Sequence, residues 1–129
     1  MEQRREAGLH DGLRFTYRDP ATATTPRASF PWAESLVVGA WGYLPGAGSP
    51  GPPRPGTGRV ARFATADHYA PLRAGLEVLA GLLRESGRRA EVLSDDSRLV
   101  DRAAAARAGV GWWGKSTMIL CPGPGPWVL

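Results

Sequence analysis

The run SLVVGAWGYL at residues 35–44 constrains the fold of this chain more than any other stretch. It is almost continuously apolar, carries β-branched residues and is interrupted only by glycines, the pattern of a strand covered on both faces. Such a strand needs a layer on each side of its sheet, and the sequence supplies helices to form them. The best lies at 70–86, where Leu72, Leu76, Leu79 and Leu83 recur at three- and four-residue steps and build one apolar face. Pro71 suits its first turn and Gly87 its stop.

The other elements are shorter. Residues 2–7 read as the tail of a helix ended by Gly8. Residues 12–26 read as a loop-rich connection, because Asp19-Pro20 and Thr25-Pro26 impose extended or turn geometry. Arg14, Tyr17 and Arg18 in it have the chemistry to hold an anion, but surface-loop chemistry explains them better. A proline- and glycine-rich loop follows at 45–58, and GRVARFA (58–64) alternates like a second strand. RAEVL (89–93) reads as a third strand. Asp96 or Ser97 is expected to cap a helix at 98–108 that Gly109 stops. TMIL (117–120) and PWVL (126–129) read as strands flanking a proline-glycine turn. The expected whole is one partial domain, 1–129, of α+β class: a mixed-sheet α/β sandwich. The short opening helix and the apolar last strand are what a piece of a longer protein would show.

Composition narrows the function. With 43% hydrophobic and 22% charged residues the chain is ordinary globular material. No apolar run is long enough to span a bilayer, and MEQRREAGLHDG lacks the apolar core of a signal peptide, so a cytoplasmic protein without membrane contact is expected. The single Cys121 excludes an internal disulfide or a multi-cysteine metal site within this sequence. His68 has no second histidine or cysteine spaced to help it bind a metal, so no metal ligands are assigned. The net charge of +4 rests almost wholly on arginine, a compositional bias that weakens it as a sign of nucleic acid. Lys115 is the only lysine, which marks a place suited to a compact ammonium.

The chemistry concentrates in DDSRLVDRAAAARAGVGWWGKST, residues 95–117. Gly109 to Ser116 matches both G-x-x-x-x-G-K-[ST] and G-x-G-x-x-G, patterns in which glycine amides at a helix N-terminus cradle phosphate. That reading requires a strand before the loop and a helix after it. Here a helix precedes and a strand follows, and two adjacent tryptophans crowd the turn. A P-loop NTPase is therefore the weakest reading.

The same stretch carries a resemblance. DRAAAARAGVGWWGKST (101–117) resembles the E-R-x-x-A-x-R-A-G-L-G-W-x-G-K-N-T motif of the epoxyqueuosine reductase family, cobalamin- and iron-sulfur-dependent enzymes acting on tRNA. GRVARF (58–63) and PWAESLVVGAWGYLP (31–45) resemble further segments of that family's N-terminal domain. The family's Asp-Tyr-His stands here as Asp67-His68-Tyr69, its asparagine after Gly-Lys is Ser116, and the proline of its V-D-x-x-P is lost at Arg98. These departures mark a divergent branch.

The resemblance implies the cobalamin-binding portion of an oxidoreductase that reduces an epoxide on modified tRNA in queuosine biosynthesis. It implies Asp95 as the general acid, against the simpler role of a second helix cap beside Asp96. It implies Val100, Gly114, Ser116, Thr117 and Cys121 around the cobalamin, with Cys121 a small packing residue, and Lys115 and Arg102 toward the substrate. The two [4Fe-4S] centres of the family belong to a downstream half, so activity is not expected of this chain alone. The partner is tRNA for the full-length protein, expected to be a monomer. A non-catalytic corrinoid- or tRNA-binding module is the alternative.

Overall fold

The computed structural model describes residues 1–12, 19–44 and 51–129. Arg14, Tyr17 and Arg18 and the first part of the proline- and glycine-rich loop lie outside these. The class is α+β: helices α1 (Glu2–Glu6), α2 (Pro20–Thr24), α3 (Pro26–Ser29), α4 (Tyr69–Glu85) and α5 (Asp101–Arg107), with strands β1 (Trp112–Trp113) and β2 (Ile119–Leu120). The two strands pair antiparallel, Trp112 opposite Leu120 and Trp113 opposite Ile119, and are the only sheet among the described residues.

Helix α4 follows its leucine spacing to within a residue. The Asp67 carboxylate accepts the amides of Tyr69 and Ala70, both at 3.1 Å, and so serves the orphan donors of the first turn. At the other end Gly87 takes φ +80°, its amide donating to the Arg84 carbonyl while Arg88 N–H reaches back to Leu83. This is a Schellman stop. Helix α5 ends the same way, with Gly109 at φ +75° and amide bonds Gly109→Ala106 and Val110→Ala105.

Elsewhere tertiary contacts override the local pattern. The expected loop before residue 26 contains α2, which Asp19 caps through the Thr22 amide and hydroxyl, and α3 follows with Pro26 in its first turn. The strand expected at 58–64 is instead a 3₁₀ turn at Arg62–Ala64. The Arg62 guanidinium donates to the carbonyls of Tyr43 and Leu44, so its side chain occupies backbone acceptors that a paired strand would have used.

Residues 35–44 run extended, but only their end is paired. Trp41 and Leu129 exchange both backbone bonds and Tyr43 N–H donates to Trp127, placing Gly42 opposite Val128. Gly39 lies close against α4, where an added Cβ would sit 3.0 Å from Leu76 Cδ2. The remainder is open: Leu36, Val37, Trp41 and Leu44 are exposed rather than covered on both faces. Residues 89–93 likewise belong to no strand. The buried core is small, with Ala23, Phe30, Ala80, Ile119 and Cys121 as its apolar members.

Helix α5 starts at Val100 without a side-chain cap, so neither Asp96 nor Ser97 has the expected role. Val100 N–H instead donates to Ala23, tying α5 to α2. Asp96 grips Arg98, accepting from its backbone amide and its guanidinium, while the same guanidinium reaches Glu91 at 2.9 Å and lies over the Phe30 ring. The Arg98 hydrogen bond holds the Asp96 carboxyl below the usual carboxylate range. A depressed carboxyl contributes stability above its unfolded value, near pH 4, and loses it as pH falls through the folded value. Asp96→Asn is therefore expected to lower the melting temperature at pH 7 by roughly 2–4 °C. That difference should close in acid, which melting curves followed by circular dichroism at pH 7 and pH 2 will show.

Candidate functional site

Between residues 32–40, α4, residues 88–96 and α5 lies a cavity of about 980 Å3. Its walls are largely apolar, with Leu72 and Leu76 from α4, Val38 from the extended segment and Ile119 from β2. Polar and charged groups also line it, among them Tyr69, Ser94, Asp95, Asp101 and Arg102. A largely apolar hollow with polar groups in its wall is a usual form of small-molecule site, and this one is at the upper end of the usual size range.

Three of the residues singled out from the sequence line the cavity: Asp95, Arg102 and Cys121. Cys121 is buried in the wall, bridged to Gly125 by two backbone bonds across the Pro122–Pro124 turn. Val100, Gly114, Lys115, Ser116 and Thr117 lie outside the lining. They are nevertheless connected to it. Arg102 donates from its guanidinium to the Thr117 carbonyl at 3.0 Å, so α5 and the 114–118 turn are held by one side chain.

That turn closes the β1–β2 hairpin. Gly114 N–H donates to Met118 at 2.8 Å and Thr117 N–H to Gly114 at 3.0 Å. Both amides are thus used inside the hairpin and a strand follows, which is the opposite of a phosphate-cradling loop before a helix. Lys115 and Ser116 are exposed on the turn.

Two of the named residues hold left-handed backbone, Asp95 at φ +54° and Thr117 at φ +64°. Aspartate tolerates this region; a β-branched threonine there is a true outlier. Strain of this sort persists only where the surrounding structure imposes it, and it concentrates at functional sites.

Two cavity residues escaped the sequence reading. Ser94 Oγ is buried with no hydrogen-bond partner, an orphaned hydroxyl beside Asp95. Tyr69 stands in the first turn of α4, and burial, then the Asp95 and Asp101 carboxylates and Tyr43, push its phenol above the ordinary value. It therefore stays a neutral hydrogen-bond donor at neutral pH. The signal for Tyr69 was present in Asp67-His68-Tyr69, whose order departs from the family motif. No local pattern points to Ser94. His68 stacks on Tyr43 at 5.2 Å and its Nε2 lies 3.1 Å from the Arg62 carbonyl, a packing role. No three histidine, cysteine or acidic side chains group to hold a metal ion among the described residues. Nor is any described helix long and apolar enough to cross a membrane.

No family model matches the sequence, and no solved structure matches it significantly. Curated relatives do. The epoxyqueuosine reductase of Staphylococcus aureus is 33% identical over 139 residues, covering 98% of this chain and 35% of that protein. The Bacillus subtilis epoxyqueuosine reductase is 32% identical over 120 residues, 88% of this chain and 31% of its own length. That of Gloeobacter violaceus is 32% identical over 102 residues, 77% of this chain and 31% of its own. The chain spans about a third of the length of these relatives. Over that third, it belongs to the epoxyqueuosine reductase family as a divergent member.

Proposed function

We propose that this chain is the cobalamin-binding portion of an oxidoreductase that reduces an epoxide on modified tRNA in queuosine biosynthesis. The observation that carries the reading is the cavity that gathers Asp95, Arg102 and Cys121 from separate elements. A bulky, mostly apolar ligand ringed by amides suits its size and apolar walls. The orphaned Ser94 hydroxyl is a partner for a peripheral amide. Thr117, Ser116, Gly114 and Val100 contribute from the hairpin turn and the start of α5, which Arg102 draws to the same edge. In this reading the β1–β2 pair and the extended segments are parts of the α/β sandwich of a cobalamin-binding domain.

Asp95, Ser94 and Cys121 in the cavity wall would hold a cobalamin, which when bound would supply the reducing electrons. Removal of the epoxide oxygen as water also requires protons, and Asp95, on its left-handed turn at the cavity wall, is the donor. Tyr69, whose phenol keeps its proton, orients the group that Asp95 protonates. The apolar walls from α4 and residues 36–40 give that step a low-polarity side. Arg102 and Lys115 face the anionic tRNA, Lys115 as an exposed point charge on the hairpin turn. The iron–sulfur centres that recharge the cofactor belong to the family's length beyond the matched third, and the enzyme acts in the cytoplasm, where tRNA is modified. Titration with a corrinoid, followed by its visible absorption, tests the reading: saturable change supports it and an unchanged spectrum contradicts it.

A further inference from the structure

The bonds between residues 41–43 and 127–129 define more than a local contact. Trp41 and Tyr43 both donate to the same neighbouring segment, so odd-numbered backbone groups of the extended run face that side and even-numbered ones face away. The ladder stops at Trp41, while the apolar run reaches back to residue 35 with no helix, turn or bend. Among the described residues, 35–40 make no backbone–backbone hydrogen bond at all. This is an open strand edge of apolar, β-branched sequence, and natural proteins cover or blunt such edges.

The surface points the same way. The chain exposes 9515 Å2, whereas a folded monomer of 13.8 kDa exposes about 6,600 Å2. The excess, about 2,900 Å2 on this chain alone, is more than the roughly 1,000–2,500 Å2 that each partner contributes to a large permanent interface. Its apolar part includes Leu36 and Val37 on the open edge and Leu79, Leu82 and Leu83 on α4, and all five also line the cavity.

We propose that this edge takes up an antiparallel β-strand from the part of the family protein that this chain does not match. The occupant is polypeptide of the same protein because the curated relatives are about three times as long as the matched region. The strand continues the existing ladder in its own direction, past Trp41 toward Ser35. Its backbone bonds go to Gly39 and Val37, the odd-numbered groups, and its side chains cover the exposed apolar row. This inference rests on the backbone register and the surface, and stands whether or not the cavity holds a corrinoid.

The test is amide hydrogen exchange resolved by residue. It compares this chain with a full-length chimera in which the chain replaces the aligned third of the Staphylococcus aureus protein. Val37 and Gly39 amides are expected to exchange freely in the chain alone and to gain at least about tenfold protection in the chimera. Leu36 and Val38 need not follow. Gain confined to Leu36 and Val38, or at none of the four, overturns the proposal. So does protection of Val37 and Gly39 in the chain alone, either as a monomer, where the edge is already paired, or as a dimer, where a second copy is the occupant. The measurements on the chain alone keep the proposal open to refutation if the chimera does not fold.

Discussion

Asp95→Asn, placed in the full-length chimera, is expected to lower turnover of epoxide-bearing tRNA by about 10²–10⁴-fold while leaving corrinoid affinity within about threefold. The substitution isolates the proton. Asparagine has the shape of aspartate and is among the few residues that accept left-handed backbone, so φ +54° at this position costs it little. The turn is also held independently, by Asp96 gripping Arg98 and by Arg98 reaching Glu91. What the amide cannot do is release a proton to the departing oxygen. Single-turnover kinetics on chemically reduced enzyme would separate this step from electron delivery. Unchanged turnover would mean that Asp95 only shapes the turn before α5.

Gly111→Ala is expected to be the most damaging small change in the hairpin, costing about 3 kcal/mol or more. A Cβ at this position would run into the Leu120 carbonyl oxygen and lie 2.8 Å from Ile119 Cγ2. Neither neighbour can yield cheaply. Leu120 is backbone paired to Trp112, and Ile119 is one of the few buried side chains, 6% exposed. Gly109→Ala provides the comparison. It meets nothing within 4 Å and carries only the left-handed penalty of φ +75°, about 1–2 kcal/mol. Urea denaturation of the two variants should therefore rank Gly111→Ala clearly below Gly109→Ala. The reverse order would mean that β2 does not pack against Gly111 as described.

Where structure depends on neighbours in sequence, the sequence was readable. The leucine spacing of α4 and the stops at Gly87 and Gly109 follow from periodicity and turn chemistry. The reversal of helix and strand around Gly109–Ser116 was enough to make a phosphate loop the weakest reading, and the hairpin supplies a further reason in its internally bonded amides.

Errors arose where a side chain acts across the fold. Alternation at 58–64 suggested a strand, but Arg62 spends its guanidinium on carbonyls some twenty residues earlier, and the backbone turns instead. Asp96 looked like a helix cap because acids often are, yet Arg98 two residues later binds it more strongly than an orphan amide would. The continuous apolar run at 35–44 announced a strand covered on both faces, whereas the structure pairs it only at the Gly42–Val128 bridge. Much of it remains exposed because only Trp41 and Tyr43 have backbone partners among the described residues. The cavity is the least local feature of all. Asp95, Arg102 and Cys121 were named through a family motif, whereas Ser94 and Tyr69 acquire their roles only from what folds around them.

The central claim is that these elements form a corrinoid site, and spectrophotometric titration of the purified chain with cob(II)alamin under anaerobic conditions tests it most directly. The account predicts a saturable change in the visible bands at micromolar protein, with quenching of tryptophan emission from the neighbouring Trp32. Asp95→Asn should retain that binding. Spectra that stay unchanged to high micromolar corrinoid, with folded protein throughout, would contradict it.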